Sequence, residues 1–373
     1  MNPVDGRGAT TEPRFLSRGD HEGSGERVEE LIGRILEITR VESVGDYSVF
    51  HGNPVPGAGS AFEAVLPEIE RRGGLAAIQR TGPGTAALVV GSAAASEVVP
   101  RRSRPWVNLG LLLATLITTT WAGALHVGTD LLARPGQWSD GLPYALALLL
   151  ILGVHEMGHY LVARVRRVRV SLPYFIPVPF FLGTFGAFIR MEGEVSDRNA
   201  FFDIGVAGPL AGLVVAVAAV LIGVAAGPAG GVGGHGMIPD SSLLFGALYR
   251  LGGGAAPGAP VTLGPIAFAG WLGLLVTALN LIPVGQLDGG HVAYALLGRA
   301  RSRVVGRIAI GIMLIIGIFY SYHWLMWGLF VWVLAGTGHA PSRNELTPLT
   351  RGRIVLACGT LLLFLSIIVP WPA

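Results

Sequence analysis

The sequence predicts an all-α polytopic membrane protein with about six to seven transmembrane helices, a re-entrant β/loop segment and a small N-terminal α+β soluble domain. Three observations carry this reading. First, the chain of 373 residues is 51% apolar and only 14% charged, against about 25% charged residues in soluble domains. Its mean hydropathy is +0.57. Second, the apolar residues gather into long runs after residue 105. Third, one membrane orientation accounts for nearly every arginine near those runs.

The elements follow in chain order. Residues 1–25 are rich in Gly, Arg, Glu, Ser and Asp, a composition expected to stay disordered. Residues 26–91 read as the small cytosolic α+β domain. Glu26–Thr39 carries Val28, Leu31, Ile32, Ile35, Leu36 and Ile38 at helical spacing. Tyr47–His51 reads as a strand, Phe62, Val65, Leu66 and Ile69 mark a second helix, and Leu75–Gln79 and Ala86–Val90 read as strands. Residues 92–105 form a linker. The membrane domain then occupies 106–373, with spans expected at about 106–126, 143–163, 201–226, 263–283, 304–320, 323–337 and 354–370. Each half of 304–337 is short, so two helices or one tilted helix and a loop both fit.

Charge sets the expected orientation. All 27 basic residues are arginine, a bias of genome rather than of chemistry. With the N-terminus in the cytoplasm, Arg101, Arg102 and Arg104, then Arg164, Arg166, Arg167 and Arg169, Arg190 and Arg198, Arg299, Arg301, Arg303 and Arg307, and Arg343, Arg351 and Arg353 all fall on the inner side. Only Arg134 and Arg250 fall outside. The formal charge of +3 is small and its carriers flank the spans, so nucleic acid is not an expected partner. No cleavable signal peptide is expected, since the first hundred residues are polar. The single Cys358 excludes an intrachain disulfide and a cysteine-rich zinc site.

His155-Glu156-Met157-Gly158-His159 lies inside the second apolar run. Charged groups within a span are costly and mark function by default. Residues i and i+4 share one helix face, so both imidazoles can grip one ion while Glu156 reaches a water beside it. The alternative is a solvated polar face, and it fails here because unpaired polar groups would meet lipid or an apolar core. His155 lies about nine residues, or roughly 13 Å, from the inner boundary at Arg164.

A catalytic zinc usually has three protein ligands. The extended H-E-x-x-H-x-x-G-x-x-H pattern is absent, since Val162 and Val165 stand at its next positions. Asp288 is the candidate. It sits in Asn280-Leu-Ile-Pro-Val-Gly-Gln-Leu-Asp288-Gly-Gly-His291, where Pro283 and Gly285 break the fourth span near the inner face. Broken backbone at that depth belongs in protein or around a wet cavity. The competing reading makes Asp288 the cap of the next helix. Asn280 could orient a substrate peptide or oxyanion, or stitch helices together. His291 is open between a supporting role and a plain helix-facing one. His126, His235 and His323 fall on the outer side and are discounted. Asp203 reads as an N-terminal helix cap.

Val170–Val195 is not a span, because Pro173, Pro177 and Pro179 exclude a regular helix. Phe185–Met191 has strand composition. Such a segment could offer an edge to a substrate strand, with Phe185 and Gly186 as substrate contacts. The alternative is a hairpin that only plugs the fold.

His155-Glu-Met-Gly-His159, Asn280-x-x-Pro283-x-x-x-Leu287-Asp288-Gly289 and Phe202-Asp-Ile-Gly-Val-Ala-Gly-Pro-Leu-Ala-Gly212 together resemble the site-2 protease family of intramembrane zinc metalloproteases over about 140–295. The resemblance implies one zinc ion per chain held by His155, His159 and Asp288, with Glu156 as catalytic acid/base and a three-helix core. It also implies regulated intramembrane proteolysis of membrane-anchored substrate proteins. The stretch 227–262 leaves no room for a PDZ domain, and paired CBS domains are absent. The N-terminal unit, with spans on both sides of the core, is more similar to the branch of the plastid ethylene-dependent gravitropism-deficient proteases and their prokaryotic relatives.

The expected activity is therefore a zinc metalloendopeptidase in the bilayer, which Glu156 serves as general base. The expected location is a prokaryotic cell membrane, with the N-terminus and active site toward the cytoplasm. Two rivals come from other classes. A metal transporter would repeat ligands at several depths, and an inactive scaffold or chaperone of the same fold would not need Glu156. Substrate identity, gating and oligomeric state are not legible.

Overall fold

The computed structural model describes residues 28–45, 47–92, 104–180, 182–227, 242–254, 261–319, 322–336 and 341–369. The expected tail at 1–25 and most of the linker at 92–105 lie outside these residues. So does His235. The chain divides into two compact units.

The first unit combines Met1–Arg101 with two short segments from far along the chain, Val195–Arg198 and Ala340–Pro348. Helix α1 (Val28–Gly33) is followed by strands β1 (Leu36–Val44) and β2 (Tyr47–Pro54), helix α2 (Ala58–Arg71), and strands β3 (Gly74–Gly82) and β4 (Thr85–Ser92). The strands form one antiparallel sheet in the order β1-β2-β4-β3. The expectation of one helix through Thr39 is corrected here. Gly33 is a poor helix former, and Ile38, Thr39, Val41 and Val44 after it are β-branched and suit a strand.

Ile32, Ile35, Phe50, Phe62, Ile69, Ile78 and Leu88 make the core, and Leu346 from the third segment joins it. That segment is also stitched to β3 by backbone. Ile78 donates to the Arg343 carbonyl at 2.8 Å, and Glu345 donates back to the Ile78 carbonyl at 3.0 Å. Asn344 is wholly buried. Its amide donates to the Gly59 carbonyl and to Glu63, and its oxygen accepts from Leu346 and Thr347. On the other side, Arg343 and Asn344 donate to the carbonyls of Val195 and Ser196. The sheet unit is thus one continuous sequence plus two inserted strips, which the sequence boundaries at 26–91 did not anticipate.

The second unit is helical. Among the described residues, five helices are long and apolar enough to cross a membrane: α3 (Pro105–His126), α4 (Leu142–Val165), α5 (Arg198–Ala225), α9 (Arg299–Phe319) and α11 (Arg351–Ile368). Helix α6 (Leu243–Leu251) is short. Helix α7 (Pro265–Asn280), expected as a span over 263–283, is a shorter apolar helix. The stretch 304–337 holds two helices, α9 and α10 (Tyr322–Ala335). A turn of broken backbone joins α7 to α8 (Asp288–Leu297).

Between α4 and α5 the prolines do what the sequence suggested and exclude a helix. The strand expected over Phe185–Met191 is shorter and earlier: β6 runs Thr184–Phe188 and pairs antiparallel with β5, Tyr174–Pro177. Side-chain donors from α3 and α4 satisfy the carbonyls at both ends of this hairpin. Asn108 reaches the carbonyls of Leu172 and Pro173, Thr118 reaches Gly183, and Tyr144 reaches Leu182. Backbone groups that lack ladder partners need such donors in an apolar surround.

Candidate metal centre

Helix α4 places His155 and His159 one turn apart, both buried. The α7–α8 break brings Asp288 to them. Asp288 Oδ2 lies 3.2 Å from His155 Nε2, and Oδ1 lies 3.2 Å from His159 Nε2. The two Nε2 atoms are themselves 3.2 Å apart. Three donors bound to one tetrahedral zinc at about 2.05 Å would be separated by about 3.3 Å. Two imidazoles and a carboxylate are donor types that zinc takes, and the closest pairs, with a different carboxylate oxygen facing each ring, are near that spacing. Among the described residues this is the one group of three His, Cys, Asp or Glu side chains placed to share a metal.

The capping alternative for Asp288 is not what the geometry has. Leu287 occupies the cap position of α8 and no side-chain cap bond forms. Asp288 instead occupies the first turn, where the helix dipole favours a carboxylate, and turns it toward the imidazoles. A Cβ on Gly289 would strike the Leu281 carbonyl, and one on Gly290 the Gly285 carbonyl. The paired glycines are what let α8 start so close beneath the break.

Helix α5 backs the imidazoles. The Ile204 carbonyl lies 2.7 Å from His159 Nδ1. This contact holds the proton on Nδ1 and leaves Nε2 free to ligate. A Cβ at Gly208 would overlap the His159 ring, and one at Gly212 would sit 3.0 Å from His155 Cβ. Small residues at these turns let two helices approach closely.

Glu156 is 6% exposed and stands outside the ligand group. The backbone of Ile189, just beyond β6, lies beside its carboxylate. The hairpin thus meets the centre at the catalytic candidate. Phe185 and Gly186 sit earlier on β6. Phe185 is 62% exposed, and Gly186 has φ of +102° with open space where a side chain would be. Asn280 ends α7 with its amide nitrogen 3.2 Å from His155 Nε2.

Other candidates resolve differently. His126 stacks on Phe268 at 4.1 Å and lies 3.2 Å from the Leu263 carbonyl. His291 is buried beside Phe201. Asp203 is not a cap. It sits inside α5 and pairs with Arg166 and Arg353. Sequence reasoning missed the supports at Ile204, Gly208, Gly212 and Ile189. The glycine spacing in α5 was a legible signal of close packing; a backbone carbonyl or amide leaves no such mark.

Two histidines on the membrane-length helix α4 and a carboxylate opening the short helix α8 converge, with a separate glutamate beside them, as a group able to hold one metal ion. Residues 143–322 match the model of Peptidase family M50, and the chain carries a site-2 protease domain of that family. It is homologous to the EGY zinc metalloproteases, the branch the sequence resembled. It is 32% identical over 298 residues to "Probable zinc metalloprotease EGY2, chloroplastic" of Arabidopsis thaliana, covering 74% of this chain and 52% of that protein. It is 35% identical over 240 residues to "Probable zinc metalloprotease EGY1, chloroplastic" of Oryza sativa subsp. japonica, covering 62% and 41%. It is 31% identical over 293 residues to "Probable zinc metalloprotease EGY3, chloroplastic" of Oryza sativa subsp. indica, covering 71% and 49%. The chain spans about half the length of these curated relatives or less.

Proposed function

We propose that this chain is a zinc metalloendopeptidase that cleaves membrane-anchored protein substrates within or near the bilayer, in regulated intramembrane proteolysis. The observation that carries it is the convergence of the buried His155 and His159 with the partly buried Asp288, with Glu156 beside them but outside the ligand group. His155, His159 and Asp288 hold one zinc ion. The ion supplies Lewis acidity for hydrolysis.

Glu156 takes a proton from the attacking water as its oxygen adds to the scissile carbonyl carbon. It returns that proton to the amine nitrogen as the C–N bond breaks. Asn280 is placed to orient the substrate carbonyl beside His155. The β6 edge takes an unwound substrate as an added strand, with Phe185 as an apolar contact and the open space at Gly186 admitting a side chain. A helical substrate hides its carbonyls in hydrogen bonds, so helix-breaking residues near the cleaved bond favour turnover. The active site and the soluble unit face the cytoplasm, as the arginines indicate. The relatives' names place those proteins in chloroplasts; a cell membrane is our reading for this chain.

The test pairs metal analysis of purified protein with cleavage of a model membrane substrate. Glu156→Gln keeps zinc and loses at least about 10²-fold in rate. Asp288→Asn loses zinc and activity together, since an amide is a poor zinc ligand. Glu156→Gln activity above about one per cent removes Glu156 from its role. A fully metallated, active Asp288→Asn protein moves the third ligand elsewhere. Zinc without cleavage in the unaltered protein selects the scaffold reading, and zinc flux without cleavage the transporter.

A further inference from the structure

We propose that Asp203 is a positioning residue for the metal centre: it fixes the register of α5 against α4 and thereby holds the Ile204 carbonyl on His159. The proposal rests on the zinc reading above. Its starting point is a carboxylate shared by three helices. Arg353, in the first turn of α11, grips Asp203 as a fork, with Nε to Oδ1 at 2.6 Å and one terminal nitrogen to Oδ2 at 2.8 Å. Arg166, which caps the C-terminus of α4, pairs with the same Oδ2. All three side chains are largely withdrawn from solvent.

The residue after Asp203 is the one whose carbonyl contacts His159 Nδ1. The residues that follow back the rest of the centre. Gly205 lies against the Asp288 carbonyl and the His291 side chain, Gly208 against His159, and Gly212 against His155. Helix α5 therefore packs against both the imidazoles on α4 and the α8 turn that carries Asp288. Sliding or turning it by a fraction of a turn withdraws the Ile204 carbonyl and drives the helix backbone into a ring. Apolar packing alone resists such sliding weakly. The shared core of α5, α8 and α11, made by Phe202, Val206, Val292, Ala295 and Ala357, is non-directional. A forked guanidinium–carboxylate pair is directional. Thr350 adds a second tie between the same helix starts, donating its backbone N–H to Asn199.

Partners that orient a metal-bound histidine are typically worth 10- to 100-fold in metal affinity. The test measures zinc dissociation constants by chelator competition on the purified full-length protein, with no reliance on activity. Asp203→Asn preserves shape and removes the charge, and is expected to weaken zinc binding by about 10- to 100-fold. Asp203→Glu, which restores the charge, recovers most of that loss. Arg353→Lys keeps a charge but loses the fork and falls between them. Wild-type affinity in Asp203→Asn overturns the proposal. So does equal impairment in Asp203→Asn and Asp203→Glu, which would assign the residue to packing. Should Asp203→Asn fail to fold, wild-type affinity in a folded Arg353→Lys protein overturns it as well. An unaltered protein that holds no zinc overturns the metal reading itself, and this inference with it.

Discussion

Each residue of the centre is placed by a neighbour with a single physical task. Glycine at 208 is the sharpest case. In an exposed helix, alanine in place of glycine is stabilising by roughly 0.5–1 kcal/mol. At 208 the added methyl would overlap an imidazole that the Ile204 carbonyl already holds on its far side. Gly208→Ala is therefore expected to displace His159 and to cost zinc occupancy, read by metal analysis. Gly359→Ala in α11, where a Cβ meets nothing within 4 Å, is the matched control and keeps its zinc. Full metal content in both would mean that the α4–α5 contact yields without disturbing the ligand.

At the scale of elements, the third segment of the sheet unit makes an unusual contribution. Leu346 enters a core otherwise built from residues before Ser92, and the Arg343–Glu345 strip extends the sheet past β3. Truncating a buried leucine costs about 2–5 kcal/mol. Leu346→Ala should therefore loosen α2 and β3 while leaving the helical unit intact. Hydrogen exchange resolved by peptide reads this directly: faster exchange in residues 58–82 with no change in α4 and α5. Unchanged exchange in α2 and β3 would show that the strip decorates the unit without supporting it. The β5–β6 hairpin follows the same logic in reverse. Its own ladder is short, so Asn108, Thr118 and Tyr144 supply the donors it lacks.

For the whole molecule, sidedness governs which substrates can be reached. Reporter fusions at positions 100, 230 and 373 are expected to read inside, outside and outside. The excess of arginine beside α3, α4, α9 and α11, against Arg134 and Arg250 on the other side, motivates this. An inside reading at position 230 would invert α7 and contradict the shared depth of His159 and Asp288, which their 3.2 Å approach requires.

The HExxH pair on one helix face, the apolar character of the surrounding run and the Asp288 loop were legible by themselves. Each is a local matter: helical periodicity aligns residues four apart, and burial makes an unpartnered charge too costly to keep without a use. The strand nature of 36–44 was obscured because α1's apolar spacing continues into it, and only pairing with β2 distinguishes the two. Three further features needed the tertiary structure. The approach of Asp288 to the imidazoles depends on the α7–α8 break. The ion pairs of Asp203 on α5 depend on two arginines that lie on other elements. The strips at 195–198 and 341–348 enter the sheet unit from far along the chain. None of these leaves a periodic trace, because contacts between distant segments are set by how helices and strands pack and not by the spacing within any one of them.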